Sequence, residues 1–418
     1  MAAFARALGL AAFLGAAEAQ GNCHAITPAV SDAWCMSNCN HDPPFCPADM
    51  CACSDTPTPP PSPPTPVPGT PTPPPTPAPP TPPPTPAPTP APTPPPAPTP
   101  AAACLQAGYN ATEHVGALPS FLVSGYICPT CACARDPQAL LDALPAAYNV
   151  VNVAFIGWNA DGSIYPIFDE PDKDFTLSKA TVAALQAQGR KVLISIGGGL
   201  SPILTGADNN AAFIDAMVAG IQGVVEAYGF DGVDFDVEHF SGDYYECGQV
   251  IVKVVSALKF WRSSLLISAA PELPNLYPEG AGVAAGQNEY APIFAEAMAC
   301  FDWVQPQLYN AWSQVQTTEY AQKYAQLLDA GYTASGWGHT FDVRVPAGNL
   351  LLGYPAAPGG AGSGYIAPEQ VVQMVKDLKA KGTAIRGLMT WSIGWDETDG
   401  WKWSKAVAEL AAAAASSS

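Results

Sequence analysis

Residues 229–240 read GFDGVDFDVEHF, with acids at every second position between bulky apolar residues. Side chains of a strand alternate between its faces, so Val233, Phe235 and Val237 point one way and Asp234, Asp236 and Glu238 the other. Ionised carboxylates are costly to bury unless paired or hydrogen-bonded. The segment is therefore either an edge strand with a solvated acidic face or a buried strand whose acids have a chemical task. The rest of the chain decides between them.

Seven further runs have strand character: 121–127 (FLVSGYI), 150–156 (VVNVAFI), 191–196 (KVLISI), 265–270 (LLISAA), 303–309 (WVQPQLY), 350–354 (LLLGY) and 386–391 (RGLMTW). Stretches with helical periodicity lie between them, among them 178–188, 211–228, 320–330 and 368–381. Eight such βα units in roughly 300 residues predict an α/β fold of the (β/α)₈ TIM-barrel type rather than an open doubly wound sheet. Catalytic groups of such barrels sit at the C-terminal ends of the strands. Glu238, the last acid of the fourth strand, then stands nearest the mouth, with Asp236 and Asp234 each about 6–7 Å deeper. Alternation also puts Gln305, Gln307 and Tyr309 on one face of the sixth strand, and Gly387, Met389 and Trp391 on one face of the eighth.

Carboxylates crowded on one face cannot all ionise easily, so one of them is expected to keep a proton and serve as a general acid. Glycosidic cleavage needs such an acid at the leaving oxygen, together with stabilisation of a cationic C1. A second acid two residues away on the same strand is badly placed to attack the opposite sugar face. The arrangement suits a substrate that supplies its own nucleophile. Asp231 has the wrong parity for the acid face and is expected to cap or turn the chain, His239 is expected to face outward, and Glu272 is either a sugar contact or a surface acid.

DGVDFDVE at 231–238 resembles the DGxDxDxE signature of the glycoside hydrolase family 18 chitinases, and the resemblance extends over about 119–412. SIGG at 195–198, QLYN at 307–310 and MTWSIGWD at 389–396 resemble that family's motifs on the third, sixth and eighth strands, with weaker likenesses in LGYPAAP and APE. The resemblance implies that Glu238 protonates the glycosidic oxygen and later activates water. Asp236 would orient the substrate's 2-acetamido group, Asp234 would hold Asp236 and share a proton with it, and Tyr309 would hydrogen-bond the acetamido oxygen. Trp391 would floor the sugar, with Gln307 and Asn310 nearby. Met389, Gly198 and Glu272 join the candidate substrate-binding set, as do Ser195 and Gly197, which shape the barrel around Asp234 more than they touch sugar. The implied substrates are chitin or N-acetylglucosamine oligosaccharides, cleaved with retention. The same barrel could serve an endoglycosidase acting on the N-glycan core, a sugar-binding lectin or a wall protein; lectin-type members typically lack the acid kept here as Glu238. No cofactor and no metal are expected.

Other segments set the context. Residues 1–19 have a basic residue, a short apolar run and small residues, the pattern of a secretory signal peptide. A secreted, extracellular protein is expected, with no membrane partner. The 12 cysteines suit an oxidising compartment and fall six on each side of a Pro/Thr/Ala tract, with bridges expected inside each set. That tract, within a linker at 56–103, predicts a polyproline II spacer reaching on the order of 140 Å. Before it, 20–55 is a small Cys-rich module whose Trp34 and Phe45 are candidate carbohydrate contacts, the alternatives being a structural or protein-binding role and a zinc knuckle using His24 or His41. After it come the catalytic domain at 104–412 and a tail at 413–418 expected to be disordered. Asn110 heads a glycosylation sequon. A net charge of −19 argues against nucleic acid as a partner, and a monomer is expected.

Overall fold

The computed structural model describes residues 22–25, 51–54, 104, 118–129, 137–168, 177–284, 286–311 and 316–415. The segments expected to be a signal peptide and a linker, together with Trp34, Phe45, His41 and Asn110, lie outside the described residues. The chain divides into two units, Met1–Thr93 and Pro94–Ser418. In the first, β1 (Asn22–Ala25) and β2 (Cys51–Ser54) form an antiparallel ladder in which Cys23 lies opposite Cys53 and is disulfide-bonded to it. That bridge falls inside the front cysteine set and removes both thiols as zinc ligands.

The second unit carries β3 (Leu122–Ile127), β4 (Val150–Trp158), β5 (Ile164–Pro166), β6 (Lys191–Gly197), β7 (Leu204–Thr205), β8 (Gly232–Asp236) and β9 (Phe240–Ser241). It continues with β10 (Leu266–Ala269), β11 (Trp303–Val304), the hairpin β12 (Tyr332–Gly336) and β13 (His339–Val343), then β14 (Leu351–Pro355) and β15 (Gly387–Trp391). Eight of these run parallel in the order β11-β10-β8-β6-β4-β3-β15-β14. Parallel bridges from Val304 to Leu350 and from Gln307 to Gly353 close the ring. The expected TIM barrel is therefore formed.

Its helices are α1 (Pro137–Asp142), α2 (Lys179–Ala187), α3 (Ala211–Tyr228), α4 (Tyr244–Trp261), α5 (Ala291–Ala297), α6 (Thr318–Ala330), α7 (Pro368–Ala380), α8 (Ile393–Thr398) and α9 (Lys402–Ala415). Short polar side chains start several of them by accepting backbone N–H groups of the first turn: Ser178 for α2, Asn210 for α3, Asp243 for α4 and Thr317 for α6. The apolar helix α3 is long enough to cross a membrane, yet Phe213, Ile214, Met217, Ile221 and Val225 are buried against the barrel.

Inside the ring, one parity fills successive layers. Leu122, Val150, Leu193, Leu266, Trp303 and Leu351 pack at the N-terminal end, and Tyr126, Ala154, Ala270, Tyr309 and Met389 pack near the mouth. The opposite parity, including Val123, Val151, Ile194, Val233 and Ile267, meets the helices. GFDGVDFDVEHF is thus a central strand, and its acids point into the barrel rather than to solvent.

Three local readings need correction. Glu238 lies two residues beyond the end of β8, in the loop, because the ladder stops at Asp236. The sixth strand pairs continuously only over Trp303–Val304, since Pro306 has no N–H to donate. The hairpin β12–β13 has no counterpart in a simple eightfold βα pattern and was not foreseen. Among the cysteines, Cys104 is bonded to Cys300 within the second set, whereas Cys247 is free and buried under β7 and β9, its thiol against the carbonyls of Leu204 and Ser241.

Candidate active site

The deepest acid is the best satisfied. In the sheet register Asp234 lies between Ser195 on β6 and Ser268 on β10, so all three side chains share the interior face. Tyr126 and Ser195 donate hydroxyl hydrogens to Asp234 Oδ2 at 2.6 and 2.7 Å, and Ser268 and Gln305 donate to Oδ1 at 2.6 and 3.0 Å. Desolvation raises its pKa, and these four donors oppose the rise. Asp234 is among the neighbours whose charge pushes the Asp236 pKa up.

One step higher, Gln307 Nε2 donates to Asp236 Oδ1 at 2.8 Å and to Glu238 Oε1 at 3.0 Å, with the Ala270 carbonyl at 3.1 Å. Burial pushes the Asp236 pKa well above the usual carboxylate range, and the charges of Glu238, Asp234 and Glu272 push it further. Glu238 is also raised by desolvation, with partial relief from Gln307, His239 and Asp236. Two adjacent carboxyls that both resist ionisation favour keeping a proton between them. That proton sits at the mouth, where a general acid is needed.

The SIGG glycines serve close approach. A Cβ on Gly197 (φ 123°) would fall 2.0 Å from the Asp236 carbonyl, and one on Gly198 would strike the Phe155 ring at 2.7 Å. The Gly198 N–H donates to that same Asp236 carbonyl at 2.7 Å, fixing the backbone of the acid strand. Gly199 stands beside Glu238 Oε2, and its carbonyl meets His239 Nε2 at 2.9 Å.

Trp391 at the end of β15 is half-buried, stacked on Phe155 with ring centroids 5.9 Å apart and tilted against Tyr126 at 5.6 Å. These rings make a continuous apolar floor. Met389 is fully buried beneath it, against Gly353. Tyr309 is buried beside the acids, its hydroxyl pKa driven well up first by desolvation and then by Asp236 and Glu238. Asn310 is exposed at the rim in a left-handed conformation (φ 52°) and accepts from the Gly362 N–H at 2.8 Å, anchoring the loop after β14. Glu272 is half-buried at the end of β10, bridged through its backbone to Gln307, with its carboxyl pushed well above its ordinary range by desolvation and by Glu238 and Glu289. Asp231 accepts from the Val192 N–H and from Gln186, both at 2.9 Å, at the strand's other end, which suits the expected cap.

Tyr126, Ser268 and Phe155 were not foreseen as site residues. Their parity was readable within each strand, but which strands lie side by side was not. Among the described residues no group of three or more His, Cys, Asp and Glu side chains could hold a metal.

A family model described as "Glycosyl hydrolases family 18" matches residues 131–404. The chain is 33% identical over 274 residues to a chitinase of Enterococcus faecalis, covering 61% of this chain and 74% of that one. It is 27% identical over 289 residues to chitinase D of Niallia circulans, of whose length it spans only 54%. Among solved structures, a family GH18 chitinase of Chromobacterium violaceum is similar at 25% identity with a TM-score of 0.58, covering 70% of this chain and 84% of that one. The C-terminal domain of Legionella pneumophila ChiA shares the fold at 23% identity with a TM-score of 0.56, covering 69% and 98%.

Proposed function

The chain belongs to glycosyl hydrolases family 18, and on that footing we propose that it is a chitinase, cleaving β-1,4 bonds of N-acetylglucosamine polymers with help from the substrate's own acetamido group. The carrying observation is that the two mouth carboxyls, Asp236 and Glu238, stand two residues apart on one chain segment and share the Gln307 amide. An acid and an enzyme nucleophile must flank the sugar from opposite sides, whereas two carboxyls two residues apart and bonded to one amide face it from the same side.

In the proposed reaction Glu238 gives its proton to the glycosidic oxygen, the C1–O bond breaks, and the acetamido carbonyl oxygen bonds to C1. Asp236 supports the positive charge at the acetamido N–H, and the Tyr309 hydroxyl donates to the carbonyl oxygen until it attacks. Glu238, now ionised, takes a proton from water as that water opens the oxazolinium ring at C1, leaving the original anomer. The half-buried Trp391 and Phe155 rings, backed by the buried Tyr126, receive the apolar face of the sugar. We further propose a secreted monomer whose front module docks on the polymer, with residues 1–19 removed on export.

Incubation of purified protein with chitin oligosaccharides and a high-mannose glycopeptide, following products and anomer by NMR, tests the reading. Oligosaccharide cleavage with initial β-anomer supports it. Initial α-anomer, or cleavage of the glycopeptide alone, overturns it.

A further inference from the structure

The hairpin β12–β13 leaves and rejoins the barrel at one place. A Cβ on Gly331, just before it, would meet the Val343 carbonyl at 3.2 Å and Arg344 Cβ at 3.5 Å. The link from α6 to β14 could therefore close without it, and the excursion calls for a reason of its own. Its turn is Gly336-Trp337-Gly338-His339, with Gly336 opposite His339 and positive φ at both central residues, 56° for Trp337 and 77° for Gly338. Turns of this kind favour Asn or Gly at the first central position, because a bulky side chain is strained there. The chain nevertheless places an indole there and leaves it 48% exposed. Strain tolerated at an exposed aromatic is a reason to look for a ligand.

The tip is held in place rather than loose. Trp337 meets Tyr244 edge to face at 5.7 Å, and the exposed His339 ring stacks on Tyr245 at 3.9 Å and 14°. Tyr244 and Tyr245 open α4, six and seven residues after Glu238, so the backbone that carries the platform's partners lies at most about 25 Å from that of the proton donor. Between them Leu204 of β7 pairs with Phe240 of β9, and the loop before that pair exposes Leu200 and Ile203. Of four large exposed apolar side chains among the described residues, three thus border this sector of the mouth.

We propose that Trp337 and His339 form a secondary carbohydrate platform that takes N-acetylglucosamine units of an insoluble chain outside the cleavage site. Flat exposed rings fit the apolar face of a sugar ring, which the proposed polymer presents at every unit. The inference rests on the chitinase reading for the identity of the polymer.

The test compares the full-length protein with Trp337→Asn, a residue that tolerates the turn. Adsorption to solid chitin is measured in a Glu238→Gln background, and turnover of soluble oligosaccharides with Glu238 intact. Adsorption is expected to weaken about 3- to 10-fold, the scale of one lost stacking contact within a linked set of sites. Soluble kcat/KM should stay within about twofold and Tm should not fall, since strain is relieved. Unchanged adsorption, or equal loss on soluble substrate, overturns the platform. So does a wild-type dimer that Trp337→Asn converts to monomer, which would make a second copy the occupant. Absence of soluble turnover by the wild-type protein would sink the reaction instead, while the adsorption comparison still judges the platform.

Discussion

Buried carboxyls lie at both ends of this barrel, and they are treated in opposite ways. At the N-terminal end Asp302 Oδ2 accepts from Lys259 Nζ at 2.8 Å and from the Ile267 N–H at 2.8 Å, while Lys259 also donates to the Leu265 carbonyl at 2.7 Å. Every partner there is fixed in the folded chain, and the charges are neutralised locally. At the mouth Asp236 and Glu238 divide one amide donor between them, and both resist ionisation. Closed charge ties β10 to the start of β11, whereas incompletely satisfied charge keeps a proton available for transfer. Asp234, with four donors of its own, belongs structurally to the first kind although it sits in the same ladder as the second.

The contrast is sharpest when each end is broken separately. Glu238→Gln should lower kcat on soluble chitin oligosaccharides about 10²- to 10⁴-fold, the usual worth of a general acid and base. Its Tm should be equal or higher, because a half-buried acid that resists ionisation is replaced by a neutral amide. Steady-state kinetics and calorimetry on the same sample check both halves. Lys259→Met should do the reverse: removing the cation strands Asp302 in an apolar site and should cost about 3–5 kcal/mol of unfolding free energy, with kcat of the folded protein unchanged. Denaturant titration reads the loss, and adding Asp302→Leu should recover much of it.

Glu289 tests the middle ground. It is 3% exposed; Oε1 accepts from the Gly286 N–H, while Oε2 is buried without a partner. Desolvation raises its pKa to about 7. The folded protein thus binds a proton that the unfolded chain releases from about pH 4.5 upward, so its stability falls as pH rises to about 7. Glu289→Gln removes that dependence. Its stability relative to wild type should climb across this window by at most about 3 kcal/mol, read as a Tm difference near zero at pH 4.5 and growing toward pH 7.

Much of this contrast could be read from residue order. Alternation in 229–240 placed the acids on one face, and the parity of Gln307, Tyr309 and Trp391 agreed with the faces found. What alternation cannot supply is which strands are neighbours: the Tyr126 hydroxyl lies against Asp234 only because the ring closes, a separation of 108 residues. The Lys259–Asp302 pair hid for a similar reason, as a helical lysine and an aspartate before a strand carry no shared motif. The hairpin is harder to read: glycines flank Trp337, but the indole stands where Asn or Gly would complete the two-residue turn signal, and the strands are short and mostly polar.

Asp234 gives the finest test, because it has both kinds of role. As a charge one rung below Asp236, about 6–7 Å away on the same face, it helps raise the Asp236 pKa. Replacing it with Asn removes that repulsion, so the Asp236–Glu238 pair should release its shared proton at lower pH. General-acid catalysis needs that proton, so the alkaline limb of the kcat/KM profile should move down, by at most about two units, the size expected for like charges at this separation in an effective dielectric near 20. If Asp234 were only a strut for Ser195, Ser268, Tyr126 and Gln305, the variant would lose rate or stability while its alkaline limb stayed in place.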